Sequence, residues 1–200
     1  MKSIALTGGI ATGKSTFARA LLEQVGEAVV IFDCDQSARG HLQNPLVASE
    51  VSTQLGLPLN DQGLVSREEL RALVFEAPEK RRLLESIIHP LVRKDCLASR
   101  CAAAHRSDVE CFIADIPLLF ESDHDWSFDQ IWVIACRPET QKIRLHARSG
   151  LESKMIEQIM EAQLPIATKV LRADRVIWNE GPVDCLRRQL ANLIESELIK

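Results

Sequence analysis

Near the start of the chain an apolar run, Ile4 to Thr7, feeds directly into the stretch Gly8-Gly9-Ile10-Ala11-Thr12-Gly13, and then into Lys14, Ser15 and Thr16. A short apolar run closed by glycine predicts a buried strand. Phe17, Ala18, Leu21 and Leu22 fall at helical spacing and predict a helix over Ser15 to Val25. Strand, tight turn and helix together form the opening unit of an α/β fold.

The turn also matches GxxxxGK[ST], from Gly8 to Ser15. Where glycine removes the side chain, backbone N–H groups can converge with the positive end of a helix on phosphate oxygens. Lys14 supplies a charge for β and γ phosphates, and the Ser15 hydroxyl can hold Mg²⁺. A glycine-rich turn serving only chain reversal is the alternative, and the flanking strand and amphipathic helix weigh against it. The expected ligand is a nucleoside triphosphate.

Four further apolar runs read as strands: Ala28 to Asp33, Cys111 to Ile116, Gln130 to Cys136 and Arg175 to Trp178. Continuous rather than alternating apolarity suits a parallel sheet covered on both faces. Between the second and third strands lies a long block that reads as helix. Ser66 and Glu69 have capping-box spacing there, and Pro78 and Pro90 punctuate its later half. This block is too long for a simple crossover and predicts a helical insertion walling a cleft. A second helical insert, Pro138 to about Leu164, is broken at Ser149 to Leu151. It carries Arg144 and Arg148 on one face, then an apolar stripe of Met155, Ile156, Ile159 and Met160.

Composition narrows the setting. The chain has 200 residues, 46% of them hydrophobic, which suits one large domain or one domain with an insertion. With 24 basic against 28 acidic residues, net −4, it lacks the basic footprint usual for nucleic-acid binding. Six cysteines without a CxxC pair, and no secretory or membrane-spanning signal, predict a reducing cytoplasmic setting without membrane attachment. The cysteines read as small buried hydrophobes.

Several polar residues stand where chemistry is expected. Asp33 ends the second strand, where open parallel sheets place ligand-contacting groups, and could take a proton from an attacking hydroxyl. Equally, Asp33 or Asp35 could cap a helix beginning near Gln36. Asp115 ends the third strand, where a carboxylate could approach Mg²⁺ directly or through water, or simply tip the strand. Arg144 and Arg148 could neutralise charge developing in transfer, or form a solvated face. His89, in "IIHPL", reads from spacing as either a packed histidine or a ligand contact.

Taken together, "ALTGGIATGKST", "FDCDQSAR", "GLVSREELRALVF", "LLESIIHPLV", "DIPLLFE", "RLHARSGL", "EAQLPIATKVLRAD" and "VIWNEG" give the chain a resemblance to the dephospho-coenzyme A kinase family over essentially its whole length. That resemblance implies a P-loop NTPase-type parallel sheet flanked by helices, with a helical acceptor-binding insertion and a helical lid. It implies ATP-dependent phosphorylation of the ribose 3′-hydroxyl of dephospho-CoA, the last step of coenzyme A synthesis. Residues 1–35 with 106–137 and 166–200 would form the nucleotide-binding core, 36–105 the acceptor domain and 138–165 the lid.

Residue by residue, the resemblance implies Asp33 as base on the 3′-hydroxyl and Ala11 to Thr16 as the ATP-binding stretch. It places His89 on the acceptor side, Arg144 and Arg148 in the lid, and Asn179 with Gly181 near the adenine. ATP, Mg²⁺ and dephospho-CoA are the implied small molecules, with no obligate protein partner. Three places depart from the family's usual pattern: Ala11-Thr12 for Gly-Ser, Gln62-Gly63 for Asp-Gly, and Ser149 for an acidic residue. Rival readings are another P-loop nucleoside, nucleotide or small-molecule kinase, or a nucleotide-dependent switch. The chain lacks an NKxD guanine-reading motif, and a bare switch would not need the large insertion.

Overall fold

The apolar runs become five strands in the computed structural model, which describes residues 1–122 and 126–198. These are β1 (Lys2–Gly8), β2 (Val29–Asp33), β3 (Cys111–Asp115), β4 (Gln130–Ala135) and β5 (Arg175–Trp178). Their order in the sheet is β2-β3-β1-β4-β5. β1 is therefore central, and it runs parallel to β3 (Leu6 opposite Asp115) and to β4 (Gly8 opposite Ile134). β5 continues the sheet in parallel beyond β4. The chain crosses from one side of β1 to the other between β3 and β4, so the end of β1 lies at a topological switch point, where such sheets open a ligand crevice.

Two compact units result: Met1–Phe32 with Arg100–Lys200, and Asp33–Ser99. In the first, helix α1 (Lys14–Val25) turns Phe17, Ala20 and Leu21 inward, onto a core that includes Ile4, Leu6, Ile113, Trp132, Ile134 and Ile177. Each such large side chain contributes about 2 kcal/mol of hydrophobic stabilisation when fully buried. Phe17 meets Trp132 edge to face, with ring centroids 6.3 Å apart. The expected stripe is shifted by a fraction of a turn: Ala20, not Leu22, joins the buried face, and Leu22 stays 43% exposed.

Beyond β4 come α6 (Pro138–Ser149), α7 (Ser153–Glu161) and α8 (Ile166–Leu171); α9 (Val183–Leu193) lies after β5. Gly150, with φ 65°, ends α6 where the break in the second insert was expected. Ile156 supplies the buried centre of the α7 stripe, whereas Met155 is exposed.

The second unit holds α2 (Cys34–His41), α3 (Pro45–Leu55), α4 (Arg67–Glu76) and most of α5 (Pro78–Ala104). Val51, Leu55 and Leu70 form its core, with Leu73, Leu84 and Ile87 packed around them. The Ser66 hydroxyl caps α4 by accepting from the Glu69 N–H at 3.4 Å. Proline does not divide the next helix as its position suggests, for α5 runs through Pro90 unbroken. Pro90 removes the N–H that would bond to the Ser86 carbonyl, but both residues lie on the exposed face, where water can satisfy that oxygen. At the Gln62-Gly63 departure the turn rests on Asn60. Its side-chain oxygen accepts from the N–H groups of Gln62 and Leu64, at 2.9 and 3.0 Å.

Cys34, Cys96, Cys111 and Cys136 are buried as expected, but Cys101 is exposed and Cys185 half-buried. Among the described residues no helix is long and apolar enough to cross a membrane.

Candidate active site

A loop that binds phosphate must present N–H groups inward and keep its carbonyl dipoles out. From Gly8 to Thr12, every carbonyl but that of Ala11 accepts a side-chain donor: Gly9 from within the loop, the others from distant parts of the chain. The Gly8 carbonyl accepts from Lys169 Nζ at 3.3 Å, and the Gly9 carbonyl from the Thr12 hydroxyl at 2.9 Å. Gln141 Nε2 donates to the Ile10 carbonyl at 2.7 Å. The Thr12 carbonyl accepts from Asn179 Nδ2 at 2.8 Å and from an Arg144 guanidinium nitrogen at 3.4 Å.

With the carbonyls so held, the N–H groups of Lys14, Ser15 and Thr16 precede the first bond of α1, which runs from Phe17 N to the Gly13 carbonyl at 3.0 Å. They carry the positive end of the helix dipole toward any anion placed there.

Two glycines are required by this packing. A Cβ on Gly8 would stand 2.5 Å from the carbonyl oxygen of Ile134. Gly13 has φ +98° at the N-cap of α1, and a Cβ there would collide with the Asn179 amide. Ala11 is the finding that sharpens the departure noted at that position. Its φ of 57° lies in the left-handed region, where no other non-glycine among the described residues is found. A conformation suited to glycine is thus occupied by alanine.

The other expected site residues divide between the two units. Asp115 ends β3 beside β1, and the Ile116 N–H donates to the Leu6 carbonyl at 2.8 Å. Arg144 reaches the loop from α6, whereas Arg148 is exposed one turn further along the same helix. Asn179 lies just after β5, with its backbone N–H bonded to the Ala135 carbonyl at 2.7 Å and its side chain spent on the loop. Gly181 comes two residues later, packed against Cys185.

Asp33 and His89 belong to the second unit. Asp33, rather than Asp35, caps α2: its Oδ1 accepts from the Gln36 N–H at 2.8 Å. Its Oδ2 lies 4.0 Å from Arg39, and the side chain is 47% exposed, so capping leaves one carboxylate oxygen accessible. His89 sits on α5 immediately before Pro90.

Sequence reasoning missed five polar residues that shape the loop and the start of α6: Glu121, Gln141, Gln163, Lys169 and Glu180. Gln163 Oε1 accepts the Ile10 N–H at 2.9 Å, so that amide is turned away from the phosphate side. Glu180 accepts from the Arg137 N–H at 2.8 Å and from the Thr140 hydroxyl, which places a carboxylate at the N-terminus of α6. These hydrogen bonds, Thr140 first, hold its carboxyl below the usual range. Gln163 and Lys169 stand within "EAQLPIATKVLRAD" and Glu121 within "DIPLLFE", but nothing in the local pattern assigns them to the loop.

A central parallel strand, a phosphate loop at the switch point and flanking helices define a P-loop kinase fold. The family model described as dephospho-CoA kinase matches residues 2–184. A dephospho-CoA kinase of Synechococcus sp. (strain CC9902) is 40% identical over 96% of this chain and 96% of its own. One from Symbiobacterium thermophilum is 39% identical over 95% of this chain and 79% of its own. The solved structure of TT1252 from Thermus thermophilus superposes with a TM-score of 0.79 at 30% identity, over 98% of this chain and 97% of that one. The chain belongs to the dephospho-CoA kinase family.

Proposed function

We propose that the chain transfers the γ-phosphoryl group of ATP to the ribose 3′-hydroxyl of dephospho-CoA, with the phosphate loop as donor site and Asp33 as base. The observation that carries the donor half is the outward capture of the Gly8, Gly9, Ile10 and Thr12 carbonyls in a chain of this family. Gly8, Gly9, Gly13 and the stretch Ala11 to Thr16 hold the triphosphate, and the Lys14 ammonium lies against the β and γ phosphates. Asn179 and Gly181 belong to the same nucleotide side, Asn179 through its hold on Thr12.

The Ser15 hydroxyl and the Asp115 carboxylate are oxygen donors of the kind a hard cation takes, and they would hold Mg²⁺, Asp115 directly or through water. When bound, that ion neutralises charge on the phosphates. Asp33 accepts the proton of the 3′-hydroxyl through the carboxylate oxygen that its capping role leaves exposed. Arg144 and Arg148 on α6 neutralise charge developing on the transferred group, and His89 contributes on the acceptor side. Residues 36–105 serve as the acceptor domain and 138–165 as the lid, whose closure excludes water. A cytoplasmic location accompanies this reading.

ADP release measured with and without dephospho-CoA tests it. The expected result is release that depends on dephospho-CoA, with coenzyme A formed in step. Phosphorylation of a nucleotide in a panel of acceptors, with no coenzyme A from dephospho-CoA, would overturn it in favour of another P-loop kinase.

A further inference from the structure

Behind the phosphate loop lies a charge pair that the proposed reaction does not use. Lys169, on α8, is fully buried, and its ammonium lies 2.7 Å from Glu121 Oε1 and 3.3 Å from the Gly8 carbonyl. The same Glu121 oxygen accepts the Leu164 N–H at 3.0 Å. Glu121 Oε2 is buried with no hydrogen-bond partner among the described residues. A buried ion pair with one oxygen unsatisfied is a poor source of stability, because desolvating both charges costs as much as their attraction returns. Its geometry suggests a different use.

We propose that Glu121 and Lys169 are positioning residues for the phosphate loop: Glu121 orients the ammonium, and the ammonium holds the Gly8 carbonyl away from the triphosphate. Gly8 is the last residue of β1, so its peptide sets the direction in which the loop departs. A carbonyl free to rotate inward there would set a negative dipole against phosphate oxygens. Glu121 also accepts from the Leu164 N–H, and the adjoining Gln163 binds the Ile10 N–H, so the stretch from Gln163 to Lys169 holds Ile10 at one end and Gly8 at the other. Burial lowers the affinity of Lys169 for its proton, and the charge of Lys14 adds to this, in keeping with a second cation close behind the loop. Glu121 opposes that lowering and directs the ammonium toward Gly8.

The inference rests on the loop holding ATP, and the two can fail separately. The variants are Lys169→Met, which leaves Glu121 buried alone, and the paired change Lys169→Met with Glu121→Gln, which removes both charges and spares the fold that penalty. Lys14→Ala is measured alongside. Steady-state kinetics with each substrate varied, and calorimetric titration with ATP, give the readout. For the folded paired variant the expected result is a rise of about ten- to hundredfold in KM and Kd for ATP, the scale of a lost charged hydrogen bond, with KM for dephospho-CoA unchanged.

Unchanged ATP parameters in the paired variant would overturn the positioning role. So would a fall in kcat with both KM values kept, which a purely structural pair would produce. Unchanged ATP binding in Lys14→Ala would instead overturn the loop assignment beneath it.

Discussion

The side-chain amide of Asn179 donates to the carbonyl of Thr12 at 2.8 Å, across 167 residues of chain, and the same nitrogen fills the space a Cβ at Gly13 would need. Asn179→Ala leaves that carbonyl with only the longer contact from Arg144. The expected outcome is ATP binding weakened about tenfold, the worth of one neutral hydrogen bond to a buried acceptor. Calorimetric titration checks it, and an unchanged Kd would separate Asn179 from the loop.

Asp33 is both helix cap and candidate base, and the two duties can be told apart. Asparagine caps as well as aspartate does, so Asp33→Asn should melt with the parent protein while turnover falls by about 10²- to 10⁴-fold. Asp33→Ala should lose the cap as well, about 1 kcal/mol. Thermal melts and kcat on the three proteins decide this, and near-normal turnover in Asp33→Asn would remove the residue from the mechanism.

Ala11 holds φ 57°, a conformation that costs an L-residue about 1–2 kcal/mol and glycine little. Replacing it by glycine adds about 0.4–1 kcal/mol of unfolded-chain entropy in the opposite direction. Ala11→Gly should therefore be no less stable than the parent, and up to about 1.6 kcal/mol more stable, by denaturant titration. A clear loss of stability would contradict the left-handed geometry.

Glu180 ties the start of α6 to the segment after β5, and its carboxyl is held below the usual range. A folded-state pKa below the unfolded value near 4.3 gives stability that is present above that value and lost as pH falls through the folded one. Glu180→Gln should therefore flatten the acid limb of the melting temperature measured from about pH 7 to about 3. Parallel acid limbs in the two proteins would show that the carboxylate contributes nothing there.

Much of this is legible where the determining interactions are short in sequence. The strands stand out as unbroken apolar runs because a sheet buried on both faces imposes that pattern, and the observed bounds differ by two residues at most. Ser66 and Gly150 mark helix ends because caps act within three or four residues. Pro90 misleads because whether a proline breaks a helix depends on which face it occupies, and the two halves of α5 have to be packed before that face is known. For Asp33 the sequence leaves base and cap both open, and the cap is what the α2 geometry realises.

The sequence alone determined that a strand, a glycine turn and a helix would follow one another with Lys14 at the start of the helix, since those features lie close together in the chain and arise from backbone chemistry. Tertiary structure alone decided what keeps the turn in that shape. Lys169, Gln141, Gln163 and Asn179 come from segments more than a hundred residues away, and their polar side chains carry no periodic signal. Only when β4, α6, α8 and β5 pack beside β1 do their donors and acceptors meet the loop, because hydrogen bonds act over about 3 Å of space, whatever the separation along the chain.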